Sequence, residues 1–156
     1  MSSQVSELRG VELEAWINFL RAHAAVTRQF NAELLATHGL TINDFDVLAQ
    51  LARAPERALK RVDLADRVLL TPSGITRLLK GLQEAGYVCN RSCDQDARVT
   101  YAVLTDKGHE KLREAGKTHR ASVRALFSER FEKDELRSLA ELLERLPMRG
   151  TDACDE

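Results

Sequence analysis

The chain has 156 residues, 44% of them hydrophobic and 30% charged, with a formal net charge of −1. That balance fits one soluble globular domain, or one core with a helical extension, and excludes a disordered chain. No uncharged apolar run approaches the roughly 18 to 20 residues of a membrane span, the first residues lack the basic-then-apolar layout of a secretion signal, and three cysteines cannot pair fully within one chain, so the expected location is the cytoplasm.

From Glu7 to about His38 the pattern is helical. Leu13, Trp16, Ile17, Leu20 and Ala24 recur at spacings of three and four, and Val26, Phe30 and Leu34 broaden the stripe. Gly39 is a natural stop, because glycine accepts the left-handed conformation without steric cost. So wide an apolar face on a helix of about 30 residues needs a partner, from this chain or from another.

A second helix is expected from Thr41, which has the capping-box spacing to Asp44, and it carries Phe45, Leu48, Leu51 and Ala52 on one face. Residues 53–57 read as a loop and 58–60 as a short strand. Residues 61–68 read as a short helix with Val62, Leu64, Ala65 and Val68 facing inward. Thr71 as N-cap and Pro72 as first helical residue then open a further helix to about Ala85, with Ile75, Leu78, Leu79 and Leu82 on its inner face. Two short helices joined by a tight turn, each with a buried face, make a helix-turn-helix.

After Gly86 the period changes from about 3.6 to 2. Residues 87–91 and 99–104 read as strands joined by the polar tip 92–98, a hairpin of the kind called a wing. Thr105 caps a helix carrying Leu112, Ala115, His119, Val123, Leu126 and Phe127. Phe131 marks a break, and Leu136, Leu139, Leu142, Leu143 and Leu146 form a last amphipathic helix ended by Pro147. Within residues 56–105, eight Lys/Arg stand against six Asp/Glu, so the middle third is the only basic one.

This order of elements resembles the MarR family of winged helix-turn-helix transcription regulators, over about residues 8–147. The most specific match is the wing signature D-x-R followed by L-T: Asp96, Arg98, Leu104 and Thr105, with Ala97 where a second arginine is common. The second is TPSGITRLLKGLQEAGYV, residues 71–88, which resembles the recognition helix and the start of the wing. The resemblance implies a mainly α fold with a small β wing, a winged helix-turn-helix lobe plus a helical dimerisation region. Residues 1–38 and 106–147 would supply dimerisation helices, 39–105 the DNA-binding domain and 148–156 a flexible tail. It further implies a homodimer on a pseudo-palindromic operator in double-stranded DNA, acting in most cases as a repressor. Many relatives release DNA when a small anionic ligand binds or a cysteine is oxidised.

The recognition helix offers Ser73, Gly74, Thr76, Arg77 and Lys80 on its outer face. Small residues at 73 and 74 allow close approach, and Arg77 suits bidentate binding of guanine. The plainer reading is a solvated helix face. Arg98 at the wing tip can enter the minor groove, oriented by Asp96, with Arg91 at the hairpin base and Lys60 and Arg61 at the start of the first short helix as phosphate contacts. The plainer reading there is surface ion pairing worth about 0 to 1 kcal/mol.

Trp16, Phe19 and His23 share one helix face and could wall a site for a small aromatic acid, though packing is the plainer reading. His109 and His119 read only as packing or solvated residues. The expected dimer interface takes Val11, Leu13, Phe127, Leu136, Leu139, Leu143 and Leu146. Cys89, Cys93 and Cys154 show no zinc spacing, so no metal is expected, and a redox-sensing regulator using Cys89 and Cys93 is an alternative. No catalytic motif or cofactor fingerprint appears, which speaks against an enzyme. The other alternative is a winged-helix module that docks a protein rather than DNA.

Overall fold

A computed structural model describes residues 9–68 and 72–146, with no account of the Pro72 side chain. Thr71 as a cap, Pro147 as a stop, Cys154 and the tail from 148 lie outside the described residues. Helix α1 runs Val11–His38 and stops at Gly39, whose φ of 68° is the left-handed conformation expected there. Helix α2, Ile42–Arg53, starts with a complete capping box. The Thr41 hydroxyl accepts the Asp44 N–H at 3.0 Å, and the Asp44 carboxylate accepts the Thr41 N–H at 2.8 Å. Asn31 of α1 adds a third acceptor, taking the Ile42 N–H at 3.0 Å, so α1 itself holds the α2 terminus in place.

The segment after α2 is a 3₁₀ turn, Pro55–Arg57, rather than a plain loop. Glu56 and Arg57 both have positive φ, 54° and 55°, a conformation that costs a residue with a Cβ about 1 kcal/mol or more. Both side chains are held by ion pairs: Arg57 to Asp106 at 3.1 Å and Glu56 to Arg91 at 3.3 Å. Strand β1, Ala58–Lys60, follows, then α3, Arg61–Arg67, and α4, Pro72–Glu84. The wing is β2, Val88–Ser92, and β3, Thr100–Leu104. The sheet is antiparallel in the order β1-β3-β2, with Lys60 opposite Tyr101 and Arg91 opposite Tyr101 on the other side. Helix α5 spans Asp106–Ser128 and α6 Lys133–Leu143, with Phe131 in the break between them.

The core lies under the helix-turn-helix. Val47, Leu48 and Leu51 of α2, Leu64 of α3, Ile75, Leu79 and Leu82 of α4, and Val88, Ala102 and Leu104 of the wing are all buried. It crosses the domain limits at both ends, since Leu34 of α1 and Ala115 of α5 belong to the same cluster. One residue that the pattern places inward is not there. Val62 is 70% exposed, because the short α3 turns Leu64, Ala65 and Val68 to the core and leaves Val62 on the opposite side.

Candidate nucleic-acid interface

Helix α4 spends Ile75, Leu79 and Leu82 on the core and leaves Ser73, Thr76, Arg77 and Lys80 exposed, with Gly74 half-buried. Its far end is fixed by the wing and by α5. The Gln83 amide donates to Asn90 of β2 at 2.7 Å. The Thr105 hydroxyl donates to the Gly86 carbonyl at 2.7 Å and accepts the Gly108 N–H at 3.0 Å, so one side chain both caps α5 and closes the turn after α4. A Cβ on Gly108 would run into the Tyr87 carbonyl oxygen and come within 2.8 Å of Leu104 Cδ1, so only glycine allows this approach.

At the other end of α4 a cleft of about 650 Å³ opens between α3, α4 and the wing. Lys60 and Arg61 stand on one side of it, Thr76 on α4, and Arg98 with Thr100 on the wing. Four of the residues singled out in the sequence, on β1, α3, α4 and the hairpin tip, are therefore brought to one opening. Asp66 is the acidic group in the same lining. Arg77 and Lys80 stand exposed on α4 beyond the cleft.

Asp96 acts differently from the expectation. Its carboxylate accepts the backbone N–H of Arg98 at 3.0 Å, and its carbonyl accepts the Val99 N–H at 3.0 Å. It shapes the hairpin tip, as an aspartate does in a side-chain-mimicked turn, rather than gripping the Arg98 guanidinium. Arg91 is also engaged, 3.3 Å from Glu56 and with its guanidinium 5.5 Å from the Tyr101 ring centre. Cys89 and Cys93 are separated by four residues of extended hairpin, about 13 Å, well beyond the reach of a disulfide within one wing.

Trp16, Phe19 and His23 stack in sequence along α1 with ring centres 6.5 Å apart at each step. They stand on an exposed face and do not line the cleft above or the one described next. That second cleft, about 570 Å³, lies between α2 and α5 and is lined by Phe45, Arg53, His109, Arg113, His119 and Arg120 among others. His119 packs edge-on to Phe30 at 5.1 Å and against Phe45 at 4.9 Å, and burial pushes its pKa below the usual 6.5. Sequence reasoning assigns neither histidine a role. The signal available is only their place on the inner side of α5, which does not reveal that α1 and α2 converge there.

The sequence model of the MarR family matches residues 38–99, the whole helix-turn-helix and most of the wing. The chain is 27% identical over 134 residues to the HTH-type transcriptional regulator MhqR of Bacillus subtilis, covering 86% of this chain and 90% of that one. Among solved structures, AbsC of Streptomyces coelicolor superposes with a TM-score of 0.79 at 29% identity, over 88% of this chain and 92% of its own. Sco3205 of the same organism, a MarR family regulator solved in complex with DNA, gives 0.80 at 27%, over 89% of each chain. Among the described residues no helix is long and apolar enough to cross a membrane.

Proposed function

We propose that this chain is a winged helix-turn-helix transcriptional regulator of the MarR family, which binds double-stranded DNA as a homodimer and represses transcription from a pseudo-palindromic operator. The observation that carries the reading is the convergence of Lys60, Arg61, Thr76 and Arg98 on one cleft beside the exposed face of α4. In this reading α4 enters the major groove, Arg77 donates to a guanine edge, and Ser73, Gly74, Thr76 and Lys80 make close contacts. Arg98 enters the minor groove on a tip shaped by Asp96, while Lys60, Arg61 and Arg91 meet phosphates. Arg91 must first exchange Glu56 for phosphate, a small cost for an exposed pair.

The homodimer reading rests on uncovered apolar surface. Helix α6 buries none of its residues within the chain, and an isolated helix of 11 residues is marginal in water. Val11 at 77% exposure, Leu142 at 53%, Leu143 and Leu146 extend the same need across both ends. With Leu13, Phe127, Leu136 and Leu139, these side chains form the symmetric interface in this reading, built from residues 9–38 and 106–146. Residues 39–105 are then the DNA-binding domain.

A small aromatic acid is proposed as effector, on the wall of Trp16, Phe19 and His23. The α2–α5 cleft is a second place for it, favoured by one observation: Arg53, Arg113 and Arg120 line it together with His119 and Phe45, all from a single chain. The test of the main reading is a titration of a duplex selected from a random library at increasing salt. Affinity should fall linearly on logarithmic axes, by a slope of about −0.9 per phosphate contacted. A protein-docking module would show no such slope.

A further inference from the structure

Among the described residues, Val62 is the large apolar side chain left exposed within the helix-turn-helix; the other strongly exposed ones lie on α1 or between Phe131 and Leu146. Folding does not require its exposure, since Leu64, Ala65 and Val68 already supply the inner face of α3. Nor does it serve the surface of a dimer built from the first and last helices. It lies on the wall of the 650 Å³ cleft, next in sequence to Lys60 and Arg61 and opposite Thr76 and Arg98. The floor is apolar, with Ala65 and Ile75 buried and Val99 half-buried. Three cations against the single carboxylate of Asp66 leave the rim net positive.

The occupant that matches this arrangement has anionic groups spaced around a C–H surface. A DNA strand offers that pattern in each deoxyribose, an apolar ring edge between two phosphates. We propose that Val62 packs against a deoxyribose of the DNA backbone while Lys60, Arg61 and Arg98 hold the flanking phosphates. This inference rests on the DNA-binding reading above and adds an apolar, sequence-independent contact to it. Valine carries no hydrogen-bonding group, so its contribution is to exclude water and fix the register of α3 on the strand, not to read a base.

The test compares wild type, Val62→Ser, Val62→Thr and Lys60→Ala on two duplexes of equal length, one selected from a random library and one of random sequence. Val62→Ser removes two methyl groups from the contact and should weaken binding about threefold to tenfold on both duplexes. Its salt slope should stay that of wild type, because no phosphate loses its cation. Lys60→Ala should instead make the slope shallower by about 0.9. Val62→Thr, nearly the same shape with one methyl replaced, should lose less than Val62→Ser. The thermal midpoint of both Val62 variants should match wild type, since the side chain is 70% exposed. Unchanged affinity, a loss confined to one base pair of the selected duplex, or a lowered midpoint would each overturn the inference. If wild type binds neither duplex, the underlying DNA-binding reading fails instead.

Discussion

The Lys107 ammonium, in the first turn of α5, donates a 2.8 Å hydrogen bond to the Ala85 carbonyl just past the end of α4 and lies 5.4 Å from the Tyr87 ring centre. A cation at the carboxyl end of a helix is favourable. Together with Thr105 and Gly108, this bond joins the end of α4 to the start of α5. In the dimer reading, the distance between the two copies of α4 is then set by the two copies of α5.

The joint makes a ranked prediction. Gly108→Ala pushes a methyl group into the Tyr87 carbonyl and should cost about 1 to 3 kcal/mol, the range for overpacking. Lys107→Met keeps the stem and loses only the end-on charge, about 0.3 to 1 kcal/mol. Chemical denaturation of both variants measures the order. A larger loss for Lys107→Met would contradict the assignment of the joint to backbone approach.

Assembly is the second expectation. Leu139→Asp with Leu143→Asp places two carboxylates on the apolar face of α6, none of whose residues is fully buried within its own chain. The interface is expected to be obligate and to exceed about 2,000 Å² in total, so the variant should be unfolded or aggregated. Sedimentation of a stable, well-folded monomer at micromolar concentration would refute the expectation.

Helices are legible in the sequence where apolar residues recur at spacings of three and four over several turns, as in α1, because that period fits a helix and no strand. The turn chemistry at Thr41, Gly39 and Thr105 is legible because each cap is set by residues within a few positions of it. Three features are not legible. Helix α3 has only seven residues, too few turns for periodicity to tell the inside from the outside, and the pattern puts Val62 on the wrong face. The left-handed Glu56 and Arg57 carry no signal in their own residue types, since long-range ion pairs to Arg91 and Asp106 help to hold them. The role of Asp96 as a turn former looks, in sequence, the same as a partner for the Arg98 guanidinium two residues away.

His119 predicts a pH dependence. Burial is the main cause of its lowered pKa, opposed by Glu33 on α1 and assisted by Arg120 on its own helix. The folded chain therefore holds the proton less readily than the unfolded chain, whose histidine titrates near 6.5. Between the two values the unfolded state binds more protons, so stability falls as pH drops below about 6.5 and levels off below the folded pKa. Above that window the effect vanishes. Denaturation of wild type and His119→Gln from pH 5 to 7.5 should show the slope in wild type and a flatter one in the variant. Equal slopes would mean that His119 does not couple folding to pH.

The proposed effector site is tested through Trp16, the single tryptophan of the chain. Salicylate-like and urate-like acids are titrated while Trp16 emission and release of the duplex are followed together. Coincident changes, reduced in His23→Ala, are expected for a ligand on the α1 wall. Release without any change at Trp16, lost instead in His119→Ala, would move the ligand to the cleft between α2 and α5.

Paired substitutions at the two ends of the DNA-binding face decide whether α4 and the wing meet DNA. On a duplex selected from a random library, Arg77→Ala should weaken binding by about 1 to 3 kcal/mol and relax preference at one or two base pairs. Arg98→Ala should weaken binding to selected and random duplexes alike and make the salt slope shallower. If both variants bind as wild type does, with unchanged preference and unchanged slope, α4 and the wing are not the surface that meets DNA.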